Sequence, residues 1–289
     1  MKIALLADIH ANLTALEAVI ADGRARGADC FIVAGDSITD GPDTTETLDC
    51  LGSLTERVIR GNREEYMLRC RAGEQALWSG HRQMAALLWT YGSLRPADFV
   101  AIERMPEQLS VGLGDGLSLR VVHGSPFSVS ELLKPNEDMG PVERAALAVG
   151  ESALVFGHNH MQWSGTVHGR LVVDPGSVGV HFNRECMAEY GMLTCAGGSL
   201  TVELLRVPYD FAALEKRLWQ SGMMEAAPVW TKITWESVRA GKNYCLEFLN
   251  GARAAMAAEG LETGLIPDGI WNSAARKWWK EKGWGQCPA

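Results

Sequence analysis

Asp8, His10, Asp36, Asn62, His123, His158 and His160 fall within the first 160 residues, in the segments ALLADIH, IVAGD, VIRGN, VVHGS and LVFGHNH. In each segment an apolar run breaks off at a side chain that can donate a lone pair to a metal ion. Carboxylate, amide and imidazole donors without a thiolate suit two divalent transition ions better than a cysteine-lined structural zinc. Paired ions of this kind are suited to cleaving phosphate esters, because they neutralise phosphoryl oxygens and lower the pKa of water. A single GD or GN carries little weight, since both dipeptides are frequent in turns. The signal is the ordered set of five.

The elements around these residues give them a common place. Residues 2–7 read as a buried strand and residues 14–26 as a helix, with Thr14 and Glu17 spaced as a capping box and an apolar stripe of Leu13, Leu16, Val19 and Ile20. A strand at 30–34, a helix at 44–54 and a strand at 57–60 follow. This βαβαβ order implies parallel strands joined by right-handed crossovers. Asp8, Asp36 and Asn62 then sit just past strand C-termini, the edge where open α/β sheets bind ligands. His123 follows a strand at 119–122 and His158 one at 153–156, so five strand ends feed one rim.

Residues 63–104 read as a mostly helical insertion, and short β-type runs at 165–168, 170–173, 189–195 and 200–207 read as the antiparallel half of a second sheet. Beyond Tyr209 the chain turns helical, with segments at 211–221, 243–259 and 268–282, and it carries seven of the ten tryptophans. The division expected is a unit over 1–208 and a helical extension over 209–289. The tryptophans are read as packing between the two; the sharper alternative is a lid that stacks on a substrate base.

A 47% apolar and 21% charged composition describes an ordinary globular chain, and the net charge of -8 argues against broad binding to nucleic acid or anionic membrane. Seven scattered cysteines with no CxxC suggest reduced thiols, and the longest apolar runs fall short of a membrane span. Both point to a soluble cytoplasmic protein.

The ordered set resembles the calcineurin-like metallophosphoesterase superfamily, in particular its small bacterial phosphodiesterase and asymmetric diadenosine tetraphosphate hydrolase branch. The resemblance rests on Asp8-Ile9-His10-Ala11-Asn12, Gly35-Asp36, Gly41-Pro42, Gly61-Asn62, His123-Gly124-Ser125-Pro126, Gly157-His158-Asn159-His160 and Asp174-Pro175-Gly176-Ser177-Val178, and covers roughly residues 1–207. It implies a four-layer αββα sandwich of two mixed sheets, here with a C-terminal helical extension. It also implies two divalent ions, manganese, iron or zinc, that share Asp36. The first would be held by Asp8, His10, Asp36 and His160, and the second by Asp36, Asn62, His123 and His158. In-line attack of a metal-bridging hydroxide on a small phosphorylated, nucleotide-like substrate is the activity implied.

Two positions depart from the family pattern. Many relatives carry a histidine after the GN pair that helps the leaving group depart; here the residue is Arg63, which can steady charge but cannot give up a proton. Either the substrate has a good leaving group or another residue donates the proton. His181, after the DPGSVG turn, is a candidate and reads equally as a loop histidine. Arg63 is also expected to touch phosphate. Asn12 and Ser177 are candidates for substrate oxygens and could equally be turn or cap residues. Asp40 stands where many relatives carry tyrosine, with its role open. Two other classes stay open: a phosphoprotein phosphatase and a non-catalytic scaffold on the same fold. Oligomeric state is not legible.

Overall fold

The computed structural model describes all 289 residues. In chain order it runs β1 (Lys2–Leu6), α1 (Leu13–Ala25), β2 (Cys30–Val33), α2 (Thr44–Leu54), then the helical insertion α3 (Asn62–Arg69), α4 (Gln75–Trp78), α5 (Ala85–Ser93) and α6 (Pro96–Arg104). Next come β3 (Gln108–Gly114), β4 (Leu117–Val122), α7 (Gly140–Leu147), β5 (Ala153–Val155), β6 (Trp163–Val167), β7 (Arg170–Asp174), β8 (Ala188–Ala196) and β9 (Ser199–Val207). The C-terminal helices are α8 (Phe211–Gln220), α9 (Met223–Ala226), α10 (Pro228–Ala240), α11 (Tyr244–Ala258) and α12 (Asp268–Lys282).

The strands form two mixed sheets, one ordered β2-β1-β8-β9 and the other β3-β4-β5-β7-β6. Period-two alternation sorts each strand's side chains between two cores. Ile3 and Leu5 of β1, Ile32 of β2, Leu119 and Val121 of β4, and Ala153 and Val155 of β5 fill the space between the sheets. Ala4, Leu6, Phe31 and Val33 point the other way, onto Leu16, Val19 and Ile20 of α1. On the outer face of the second sheet, Val122, Leu154 and Val172 pack on Val142, Ala145 and Ala146 of α7. Helix, sheet, sheet and helix are thus stacked, as expected.

Three local expectations are corrected. The four late β-type runs do not form one half-sheet: β6 and β7 join the second sheet, whereas β8 lies antiparallel to β1 in the first, with Ile3 opposite Leu193. The strand expected at 57–60 shrinks to a single parallel bridge between Val33 and Val58, because the chain turns directly into α3. The cap of α1 is Asn12, not Thr14: its side chain accepts the Ala15 N–H at 3.1 Å.

The C-terminal helices bury their own cluster around Phe248, Trp271 and Trp279, and α10 and α12 contribute Ile233 and Ile270 to it. Leu214, Met223 and Trp235 pack instead on Ala86 of the insertion. Packing is therefore the role of most of these tryptophans. Trp230 is the exception taken up below. No helix is long and apolar enough to cross a membrane.

Leu5 is fully buried between the sheets next to the turn that carries Asp8. Leu5→Ala is expected to cost about 3 kcal/mol, the middle of the range for cavity-forming leucine truncations. Urea unfolding of the two proteins checks this; a difference below about 1 kcal/mol would mean the inter-sheet core is not tightly packed.

Candidate metal centre and its cleft

The turns after β1 and β2 and after Phe156 leave ordinary backbone space at the candidate ligands. Asp8, His10, Asp36, His158 and His160, five of the seven, adopt left-handed φ values between 49° and 67°. Non-glycine residues rarely adopt this conformation, and it persists only where the surroundings impose it. Here the loops are laced together. Asp8 N–H donates to Gly35 O at 3.1 Å, His10 N–H to Asp36 O at 3.0 Å and Gly157 N–H to His123 O at 2.7 Å. Gly61 must be glycine because a Cβ there would overlap Asp36 Oδ1 and the His123 ring.

Two groups of donors result: Asp8, His10 and His160, and Asp36, His123 and His158. In the first, His160 Nε2 lies 3.2 Å from both Asp8 Oδ1 and His10 Nε2. In the second, His123 Nε2 lies 3.3 Å from Asp36 Oδ2 and 3.0 Å from Asn62 Oδ1. Asp36 Oδ2 is also 3.9 Å from His10 Nε2, so this one carboxylate faces both groups. The seven residues expected to meet do meet.

These residues fit metal ions. Val180 O lies 2.7 Å from His160 Nδ1 and Ala34 O lies 2.8 Å from His123 Nδ1, so each ring donates from Nδ1 and turns the Nε2 lone pair inward. Asp8 Oδ2 accepts the His158 N–H at 2.9 Å, which leaves Asp8 Oδ1 buried, unpartnered and aimed at the histidines. Burial opposes ionisation of Asp8 and Asp36, yet neighbouring histidines, and Arg63 for Asp36, hold both carboxyls below the usual range. The same attraction overcomes burial at His123 and pushes it up to about 10. Half-buried His158 is instead held down to about 4 by desolvation and by the neighbouring His123. The buried carboxylates thus draw positive charge toward His123 and raise the His160 ring as well, and a bound cation would answer the same pull.

Glu64, directly after Arg63, was not singled out from sequence. Its buried carboxylate accepts N–H groups of Asp36, Ser37 and Gly61 at 3.0, 2.8 and 2.7 Å, tying the two turns together. Burial and the Asp36 charge push it up to about 7. The signal available was a glutamate three residues past Gly61, at a capping-box position.

Asp40 is a junction. Its Oδ2 lies 3.3 Å from His10 Nδ1 and 3.0 Å from an Arg63 guanidinium nitrogen, and its Oδ1 accepts the Trp230 indole N–H at 2.7 Å. Burial pushes this carboxyl up, but Arg63 and His10 hold it well below the usual range. It does not face solvent, and through Trp230 it ties α10 to a candidate ligand. Helix α10 is not among the helices expected from sequence, although Pro228 at its first position and Gly241 just past its end mark it.

The remaining candidates separate. Arg63 lines the cleft over the two groups, with Lys134, Phe182 and Trp230; the volume is about 390 Å³. Phe182 stacks on His160 with centroids 5.3 Å apart. Asn12 is buried, with Oδ1 capping α1 and Nδ2 donating to Gly179 O at 3.1 Å. Ser177 is buried too, its hydroxyl donating to Asp8 O and accepting from Val180 N–H, both at 2.8 Å. Both side chains hold the turns and have no polar group left for a substrate. His181 is fully buried, 3.0 Å from the Tyr209 hydroxyl, and does not line the cleft, so it is not placed to hand a proton to a substrate there.

Residues 1–198 match the model of the calcineurin-like phosphoesterase superfamily domain. The chain belongs to that superfamily. An uncharacterized protein of Methanocaldococcus jannaschii is 24% identical over 249 residues, covering 79% of this chain and 94% of its own. Among solved structures, a metallophosphoesterase from Sphaerobacter thermophilus superposes with a TM-score of 0.66 at 22% identity, over 83% of this chain and 100% of its own. A hypothetical protein from Pyrococcus horikoshii gives 0.69 at 21% identity, over 79% and 97%. These likenesses establish the sandwich fold. The superfamily is one of phosphoesterases that typically bind divalent metals, and this chain carries two candidate donor groups.

Two measurements follow. Asp40→Asn should weaken manganese binding about 10- to 100-fold in calorimetric titration, as loss of a charged partner behind a ligating histidine does. Unchanged affinity would reduce Asp40 to a cleft wall. His181 concerns acid stability. Burial holds its ring down to about 4 against an ordinary 6.5, so below 6.5 the unfolded chain takes up a proton that the folded chain refuses. Stability from this residue is therefore complete above 6.5 and falls as the pH drops, by about 2 kcal/mol at pH 5. In chelator-treated protein the drop from pH 7 to 5 should be shallower by that amount in His181→Gln; parallel curves would refute it.

Proposed function

We propose that this chain is a dinuclear metal-dependent phosphohydrolase that cleaves phosphodiester or nucleotide phosphoanhydride bonds. The observation that carries the reading is the pair of histidine–carboxylate groups facing one shared Asp36 on the floor of a cleft that also holds Arg63. Asp8, His10, Asp36 and His160 would hold one cation; Asp36, Asn62, His123 and His158 would hold the other. This donor set accepts manganese, iron or zinc, with availability deciding between them. The chemistry such ions supply is charge on the phosphoryl oxygens and a nucleophile at neutral pH.

The chain's own residues then set the substrate. Hydrolysis forms a bond from a water oxygen to phosphorus and breaks the bond from phosphorus to the leaving oxygen, which departs with the electron pair. Arg63 can bind a phosphoryl oxygen through charge-assisted hydrogen bonds but keeps its protons. With His181 shut out of the cleft, the leaving group is best released as a stable anion. Aryl oxides and nucleotide phosphates meet that demand; a simple alkoxide does not. Residues 209–289 serve as a cap over the catalytic unit 1–208 in this reading, and Trp230 supports it by reaching Asp40. A scaffold role is disfavoured because none of the seven ligand positions is lost.

Metal-reconstituted protein should release nitrophenolate from bis(p-nitrophenyl) phosphate and lose that activity in chelator. Asp36→Ala should lower kcat by more than about 100-fold, since even outer-shell partners of ligands cost about 10- to 100-fold. Loaded protein that turns over neither this diester nor a nucleoside polyphosphate would refute the proposal.

A further inference from the structure

The walls of the cleft over the ligand groups are apolar where they meet solvent. Leu132, Met161 and Leu246 line it and are 37%, 47% and 40% exposed. They are three of the ten large apolar side chains left open to solvent on the chain. They come from separate segments: the loop before α7, the turn after His160 and the first turn of α11. Single exposed apolar residues are ordinary on a protein surface, but three drawn to one concavity mark a place where something apolar binds. Phe182 and Leu249, both partly buried, also line the cleft.

The charges on these walls cancel. Apart from Asp36, which belongs to the ligand groups, the formally charged side chains lining the cleft are Asp40, Arg63, Lys134 and Glu137. Arg63 lies 3.0 Å from Asp40 and Lys134 lies 3.1 Å from Glu137, so each cation already has its anion. Cations held by the ligand groups would answer the charge of one phosphoryl group. A run of further phosphates would find no unpaired cation on these walls and would meet Glu137. An apolar group beside the same phosphorus would instead take the exposed side chains out of water.

We propose that these walls select a phosphodiester monoanion carrying an apolar ester group, an aryl or alkyl group seated against Leu132, Met161 and Leu246, over a nucleoside polyphosphate. The inference deepens the phosphohydrolase reading and rests on it for the position of the phosphorus. It chooses between the two bond types left open there. The cleft volume of about 390 Å³ suits a group of that size. Selection by apolar area should grow with the size of the ester group and owe nothing to charge away from phosphorus.

The test separates binding from turnover. Manganese-loaded full-length protein is titrated calorimetrically with diphenylphosphinate and dimethylphosphinate, monoanions with the same pair of phosphoryl oxygens and no bond to hydrolyse. The diphenyl compound should bind about tenfold more tightly or better, as burial of a ring's apolar surface predicts. Leu246→Gln and Met161→Gln, both at exposed positions, should each weaken diphenylphosphinate about threefold and leave dimethylphosphinate within about twofold. Leu246 is far in sequence from every candidate ligand, so its variant decides the matter even if Met161→Gln disturbs neighbouring His160. Equal affinities for the two phosphinates, no measurable binding of either, or a preference untouched by Leu246→Gln would overturn the proposal. In turnover, kcat/KM for p-nitrophenyl phenyl phosphate should exceed that for methyl p-nitrophenyl phosphate and for ATP by about tenfold or more. ATP cleaved as well as the phenyl diester would overturn it too. Absence of all turnover alongside the phosphinate preference would sink the hydrolase reading and leave the apolar wall standing.

Discussion

Two carboxylates with almost no exposure, Asp8 and Asp36, set the terms for everything around them. Buried negative charge is tolerated only when positive charge or several donors meet it. The chain answers with histidines whose outer nitrogens are fixed by backbone carbonyls, so the inner nitrogens have one direction to face. It also answers with left-handed backbone at five ligand positions, held by amide bonds between turns that are distant in sequence. Strain and desolvation are concentrated in one small volume, and the two sheets with their three cores make that volume rigid enough to keep them. A cation is the natural partner for such a place.

Asp40 extends the same constraint outward. A buried carboxylate beside His10 would add to the negative charge, but Arg63 offsets it and Trp230 donates to its other oxygen. The consequence is geometric: a single carboxyl group touches both α10, through Trp230, and His10. Arg63 is held from two sides as well, by Asp40 through its guanidinium and by Asp36 Oδ1 through its backbone N–H at 2.8 Å. The residue that replaces the usual histidine after the GN pair is thus part of the same electrostatic unit as the ligands. The C-terminal helices are coupled to that unit rather than merely stacked beside it.

What the sequence makes legible is what is local. An apolar run that ends at Asp or His marks a strand end without any knowledge of partners, and the donor residues could be placed on one rim for that reason. Sheet membership is different. β8 pairs with β1 from nearly the other end of the matched domain, and alternation within β8 is the same whichever sheet it joins. The capping-box spacing at Thr14 was a true local signal outcompeted by Asn12, two residues earlier, whose amide both caps α1 and bonds to Gly179. Helix α10 escaped because Thr231, Thr234, Glu236 and Ser237 are buried along with its apolar residues, which erases the stripe that periodicity looks for. For His181 the decisive fact was burial against Tyr209, which no spacing encodes.

The same residues divide the labour between the matched domain and the rest of this chain. The ligand groups are built by strand ends and their turns, all within the matched domain, and would serve any phosphoryl centre. The walls that meet the rest of a substrate come from α3, α4 and the helices beyond Tyr209. Binding energy gathered on those walls is useful for catalysis only if it fixes the phosphorus over the ligand groups. Arg63, Trp230 and Leu249 line both the cleft over the ligand groups and the adjoining cavity between the insertion and the C-terminal helices, so they are where such a constraint would be transmitted.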